Sequence, residues 1–331
     1  MKAIVFEGTE KVVTKDIPMP EVPEGSTLIR VSHAGICGSD ITIYTGYHPR
    51  AKAPLVMGHE FSGYIASENP QFAMGELVSV YPYVGCQKCA PCERGEEHTC
   101  ASLRLIGIDR DGGMAEYVSV PNKYIRALPK GISPELAAFV EPIGVAAHAI
   151  RRSEYKGGDS VLLIGAGPIG LAIAITLSAF GADPIICETN EDRLAIATSL
   201  GFKCINGTAS IEEKLAPTGG EGYDNIFDCA GVQAVAETLP DLIRVGGRIT
   251  IVAGYKKPPT MNFQKGMMRE FEIRFVRNCT RKDFDIAARL AATEPRYKVL
   301  VNNILPPEKA EEGYRAMLTP GKAVKTMFCF E

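Results

Sequence analysis

The sequence predicts an α/β protein of two domains, one irregular and β-rich, the other a doubly wound parallel sheet. Two observations carry this. About the first 120 residues hold short apolar runs broken by Gly and Pro, such as residues 27–31 and 76–80. From Asp159 to about Arg277 the rhythm changes, and apolar strands alternate with helical stretches.

Residues 1–6 read as a first strand. No long apolar stretch there ends in a small-residue cleavage site, so no secretory leader is expected. In the second domain, strands are expected at 161–164, 184–187, 225–228 and 248–252, with helices at 191–200 and 234–243. That alternation places helices on both faces of a parallel sheet. Residues 161–182 carry no charge and match a membrane span in length. Gly165, Gly167, Pro168 and Gly170 interrupt that run, so a strand, a tight turn and a buried helix are expected instead. After Asn278 come a helix at 282–292, an apolar segment at 299–301 and a closing strand at 324–330. A lone helix and strand cannot bury their own faces, so this tail is expected to return to the first domain.

The chain of 331 residues is long enough for two domains. Its composition, 46% hydrophobic and 23% charged, is that of a soluble globular protein. A net charge of −3 gives no electrostatic footprint for nucleic acid or an anionic membrane, so neither partner is expected. The cysteines cluster, which speaks for metal rather than disulfides and for a reducing, cytoplasmic setting.

Residues 160–171, Ser-Val-Leu-Leu-Ile-Gly-Ala-Gly-Pro-Ile-Gly-Leu, are a strand followed by G-x-G-x-x-G and a helix. Gly165 makes the tight turn, Gly167 lets backbone approach a pyrophosphate, and Gly170 lets helix and strand pack closely. Pro168 and Ile169 open the helix, whose N-terminus faces phosphate charge. Glu188 ends the second strand about 20 residues on, where a carboxylate accepts from ribose hydroxyls. It would repel the 2′-phosphate of NADP, so NAD is the expected cofactor of this Rossmann-type domain. Arg193 could reach the same ribose or be a solvated helix-surface charge.

Cys86, Cys89, Cys92 and Cys100 are spaced C-x2-C-x2-C-x7-C. Tetrahedral zinc takes four thiolates at such spacing, and a closed shell holds a loop rather than doing chemistry. A second set lies elsewhere: Cys37 in Gly-Ile-Cys-Gly-Ser-Asp, His59-Glu60 after Gly58, and Glu141 before Pro142. A catalytic zinc needs three protein ligands and an open position. Glu141 could be the third or fourth ligand or act through water, and Asp40 could hold the far nitrogen of His59. Singly, a buried Cys or core His is commoner than a ligand; the case rests on their joint occurrence.

These motifs, in this order, resemble the zinc-dependent medium-chain dehydrogenases over essentially the whole chain. The variant is similar to sorbitol and threonine dehydrogenases rather than to ethanol-oxidising enzymes, which place a cysteine where Glu141 stands. Residues 81–86, 106–113 and 277–280 resemble bacterial enzymes that oxidise hexonates such as galactonate or gulonate at C5. Residues 56–65 resemble galactitol-1-phosphate dehydrogenase. The resemblance implies a GroES-like catalytic domain at 1–147 and 278–331, with a structural-zinc lobe at about 85–101. It implies an NAD-binding Rossmann domain at 148–277. It also implies two zinc ions, with Cys37, His59 and one or both of Glu60 and Glu141 at the catalytic one. Arg277 matches the arginine at the substrate and cofactor side.

The implied reaction is zinc- and NAD-dependent oxidation of a secondary alcohol in a polyol or sugar acid to a ketone. Proton transfer starts at Ser39. The family often carries a relay histidine five residues after the zinc cysteine; here Thr42 stands there. Tyr44, Arg50, Lys52, Arg277 and Asn278 are candidates for holding a hydroxyl-rich or acidic substrate. The competing readings are threonine 3-dehydrogenase, an amino-cyclitol dehydrogenase and a non-catalytic NAD-binding redox sensor. The family suggests dimers or tetramers, through the strand near 271–276.

Overall fold

The computed structural model describes residues 1–319, 321 and 323–331 and separates the chain into two compact units. One comprises Met1–Gly144 with Asn278–Glu331, the other Val145–Arg277.

The first unit is built on a sheet whose central strand is Ser26–Gly35. Thr27, Ile29 and Val31 are buried while Arg30 is exposed, the period of two that a half-buried strand needs. In spatial order the sheet runs Ile125–Ala127, Leu77–Val80, Glu60–Ile65, Ser26–Gly35, Lys325–Cys329 and Val301–Leu305. Tyr117–Pro121 pairs antiparallel with the first half of the central strand. The chain's tail thus supplies two strands of this sheet. Lys2–Gly8 pairs with Lys11–Asp16 and Leu55–Val56 in a smaller sheet. Tyr83–Val84 pairs with Arg104–Leu105, and the four-cysteine segment is the loop between those two strands.

Register fixes the end of the central strand. Gly35 pairs with Glu60 on one side and with Met327 on the other. The residues that follow Gly35, precede Glu60 and precede Met327 are therefore brought to one corner. Cys37, His59 and Lys325 are among them.

The second unit holds a six-stranded sheet in the order Lys203–Asn206, Ile185–Glu188, Val161–Ile164, Tyr223–Asp228, Ile243–Ile251, Glu272–Phe275. All its strand pairs are parallel. In sequence this is 3-2-1-4-5-6, the doubly wound order whose reversal opens a crevice beside the first strand. Leu162, Ile164, Ile185, Ile226, Ile249 and Ile251 form its core with the helix Gln233–Leu242. The uncharged run at 161–182 is the strand Val161–Ile164 and the helix Pro168–Ala179. Among the described residues no helix is long and apolar enough to cross a membrane.

Two local features differ from expectation. The segment at 299–301 ends a short helix, Tyr297–Leu300, and the strand is Val301–Leu305. Glu141 and Pro142 lie inside the helix Pro134–Ser153, for which the sequence offered no sign. Pro142 removes one backbone donor, but buried apolar side chains on both sides of it carry the helix through.

Candidate active site

At the corner set by Gly35, donor atoms of Cys37, His59 and Glu60 lie within 4.8 Å of one another. His59 and Glu60 are buried and Cys37 is half-buried. Asp40, in the first turn of the helix Gly38–Tyr44, accepts from the Cys37 N–H at 2.8 Å through Oδ2. Its Oδ1 lies 3.7 Å from His59 Nδ1. Ser39 Oγ is 3.4 Å from His59 Nε2. The imidazole is thus oriented from one side by a carboxylate and faces the cysteine region with the other, the arrangement of a metal-bound histidine.

Glu60 forms an ion pair with buried Lys325, which also donates to the Ile36 carbonyl at 2.8 Å. Glycine at position 35 makes room for this pair. A Cβ there would stand 2.5 Å from Glu60 Oε2 and 2.8 Å from Lys325 Cε. Glu141 lies outside the close donor set, and its Oε1 accepts from the Tyr83 hydroxyl. Burial pushes the Glu141 carboxyl up to about 7, with the Glu60 charge adding to it. Burial pulls His59 down, but Asp40 and Cys37 outweigh it and hold the imidazole well above its usual range.

A divalent cation fits this corner. The acidic groups of Cys37, Glu60 and Glu141 lie near the buried Lys325 ammonium. His59 Nδ1 and Asp40 Oδ1 face each other at 3.7 Å without a hydrogen bond, while Glu60 Oε2 faces Lys325. Thiolate, imidazole and carboxylate are zinc donors.

The four-cysteine loop also draws its donors together, with the sulfurs of Cys86, Cys89, Cys92 and Cys100 within 4.8 Å of one another. Nearby, the Arg281 guanidinium makes a forked pair with buried Glu97 and lies against Tyr81 and Tyr124.

In the second unit the three glycines occupy distinct conformations. Gly165 has φ +103°, a Cβ on Gly170 would meet the Gly165 carbonyl at 1.9 Å, and Gly167 faces open space. Pro168 and Ile169 begin the helix Pro168–Ala179. Beside them is a cavity of about 430 Å³, lined by Gly165, Gly167, Glu188, Thr189, Arg193 and Ala230 among others. Glu188 accepts from Ala166 N–H at 2.8 Å, Thr189 N–H at 2.7 Å and Asn190 N–H at 2.9 Å. Burial pushes its carboxyl up, but these backbone donors and Arg193 outweigh it and hold it below its usual range. Arg193 is no simple surface charge: its Nη1 is 3.9 Å from Glu188, and its Nε is buried without a partner. A dinucleotide fits this crevice, since backbone N–H groups, open glycine and a ribose-type carboxylate border it.

Other candidates sit apart from the close donor set. The Thr42 hydroxyl donates to the Gly38 carbonyl within its own helix. Tyr44 is buried with its ring against Tyr314. Arg50 donates to the Leu103 carbonyl and pairs with Asp109, and with Lys52 it lines a depression bordered by Arg104 and Asp109. Arg277 is exposed at the end of the second unit. Asn278 has φ +56° and reaches the His98 carbonyl at 3.3 Å.

Sequence reasoning missed Lys325, Tyr83 and the Arg281–Glu97 pair. A lysine at the head of an apolar closing strand was the available signal for Lys325. For the others the partner lies far along the chain, and nothing local marks it.

Family models match the alcohol dehydrogenase GroES-like domain over residues 23–130 and the zinc-binding dehydrogenase domain over residues 168–293. L-galactonate-5-dehydrogenase of Escherichia coli K12 is 34% identical over 299 residues, covering 88% of this chain and 87% of that protein. L-threonine 3-dehydrogenase of Bacillus subtilis is 36% identical over 277 residues, covering 79% and 78%. An alcohol dehydrogenase of E. coli CFT073, solved with NADH, superposes with a TM-score of 0.91 at 27% identity, covering 100% of this chain and 99% of that one. Fold and site thus define an oxidoreductase with a GroES-like and a Rossmann part. The chain belongs to the zinc-type alcohol dehydrogenases of the medium-chain dehydrogenase family.

Proposed function

We propose that the protein oxidises a secondary alcohol of a polyol or sugar acid to a ketone, using zinc and NAD. The observation that carries this is the close set of a thiol, an imidazole and a carboxylate at Cys37, His59 and Glu60. The likeness to a galactonate dehydrogenase favours the hexonate class. The overall reaction turns alcohol and NAD⁺ into ketone, NADH and a proton.

Cys37, His59 and Glu60 would hold the catalytic zinc, and the four-cysteine loop a structural one. When bound, zinc lowers the pKa of a substrate hydroxyl as a Lewis acid and NAD accepts the hydride. The chain does the rest. Asp40, its Oδ1 facing His59 Nδ1 at 3.7 Å, would hold the ring by closing to a hydrogen bond. Ser39 Oγ, beside His59 Nε2, receives the hydroxyl proton. The Thr42 hydroxyl is tied to its own helix, so Ser39 would pass the proton on to water. In the second unit Glu188 and Arg193 would hold the adenosine ribose, and Gly165, Gly167 and Gly170 would admit the pyrophosphate. The carboxylate of Glu188 is the reason for NAD over NADP. Arg277 and Asn278, adjacent in the chain, are the proposed substrate-side polar residues; Arg50 and Lys52 would serve only an acidic group reaching their depression.

NADH formation on zinc-replete protein, against hexonates, polyols, polyol phosphates, amino-cyclitols and threonine, tests this reading. A hexonate or polyol signal abolished by a chelator is expected. A signal with threonine alone would move the protein to the second reading, which the Bacillus relative favours. Bound zinc and NAD with no turnover would favour the redox sensor.

The outer strand Glu272–Phe275 carries exposed Phe275, and Met267 and Met268 are exposed nearby in sequence. This supports assembly into a dimer or tetramer, read by light scattering.

A further inference from the structure

Glu60 and Glu141 are two buried carboxylates available to one cation, and they are held differently. Glu60 sits in the close donor set and is paired with a charged group, Lys325. Glu141 stands outside the set and takes a hydrogen bond from a neutral one, the Tyr83 hydroxyl. Tyr83 is only 1% exposed. A phenol buried that deeply needs a partner for its O–H, and Glu141 is that partner.

The position of the Tyr83 ring is fixed by its surroundings. Its strand pairs Tyr83 with Leu105. Tyr81 meets it edge-on, with centroids 5.0 Å apart. Tyr81 is itself anchored, its hydroxyl donating to the Cys279 carbonyl at 2.8 Å. Just beyond, Gly85 lets the four-cysteine loop close: a Cβ there would stand 2.8 Å from Cys92 Sγ. The phenol is therefore a rigid arm that cannot follow Glu141 if the carboxylate moves.

Resting on the zinc-site reading above, we propose that Tyr83 is a positioning residue that keeps Glu141 out of the metal's first ring of donors. Glu60 is then the carboxylate that meets the ion, while Glu141 stays tethered. Removing the phenol oxygen frees Glu141 to swing in.

The test exchanges the labile metal of the full-length protein for Co²⁺, leaving zinc in the four-cysteine loop. The cobalt absorption spectrum and the Co²⁺ dissociation constant are then read for wild type, Y83F, E141Q and Y83F/E141Q. Y83F is expected to shift the visible bands toward higher coordination and to change cobalt affinity by about tenfold. E141Q should leave the wild-type spectrum alone and should restore it in the Y83F background. A Y83F spectrum that superposes on wild type overturns the proposal. So does a changed spectrum in E141Q alone, which needs no tyrosine variant to fold. If wild type takes up no Co²⁺ at this site, or C37S leaves the spectrum unchanged, the zinc-site reading itself fails. That failure shows in proteins with Tyr83 intact, so the two are distinguishable.

Discussion

Arg281 and Glu97 meet as a forked ion pair, with Arg281 nitrogens 2.9–3.1 Å from the carboxylate oxygens. Glu97 belongs to the four-cysteine loop, whereas Arg281 opens the helix Arg281–Thr293. The loop is thus held by its own sulfurs and by a cation from a distant part of the chain. Arg281→Ala leaves the buried carboxylate without its cation, the Gln87 amide still donating to it at 3.2 Å. It should cost about 2 kcal/mol, less than the loss of a fully buried pair, because the Arg281 side chain is 30% exposed. Thermal melting should fall, and a chelator should take zinc from the loop faster. Arg281→Lys should recover only part, since an ammonium cannot reproduce the fork.

The two metal groups should separate by mutation. Cys37→Ser should lower zinc content from two equivalents per chain to one, abolish turnover and leave the melting temperature almost unchanged. Cys89→Ser should remove the other equivalent and lower the melting temperature by several degrees, because that zinc closes a loop. Elemental analysis with calorimetry reads both; equal melting losses would contradict the division of roles.

Gly170→Ala places a Cβ 1.9 Å from the Gly165 carbonyl. Backbone on both sides must shift, so the cost is about 3 kcal/mol, the upper part of the overpacking range. NADH fluorescence titration should show binding weakened at least tenfold. Gly167→Ala, whose Cβ meets open space, should fold normally and lose cofactor only.

Glu188 gives a pH dependence of known sign. Its folded pKa lies below the ordinary 4.5, because backbone donors and Arg193 outweigh burial. The unfolded state therefore binds more protons as pH falls. The stabilisation is fully present above about pH 4.5 and is lost as pH drops through the folded value. Glu188→Gln should flatten that part of the acid-unfolding curve and weaken NADH binding at neutral pH.

The sequence made some of this legible and hid the rest for physical reasons. The strand Val161–Ile164 with its glycine turn, and the cysteine spacing, are local patterns whose chemistry is contained in a few consecutive residues. The meeting of Cys37 with His59 and Glu60 depends on the Gly35–Glu60 register, which no local pattern states. Glu141 was read from its Glu-Pro pair, but the helix around it was not, since proline ordinarily argues for a break. Tyr83, Lys325 and Arg281 act on partners more than fifty residues away. Arg50 and Tyr44 were legible as suitable residue types, but not their contacts with the Leu103 carbonyl and with Tyr314, which lie far along the chain.

Lys325 enters from one of the last strands, after the whole second unit has been made. A chain emerging from the ribosome can complete its parallel sheet while the first sheet still lacks two strands. Until Lys325–Cys329 docks, Glu60 has no counter-ion and the Ile36 carbonyl no lysine donor. The corner that gathers Cys37, His59 and Glu60 therefore acquires its buried lysine only after every strand of the second unit has been made.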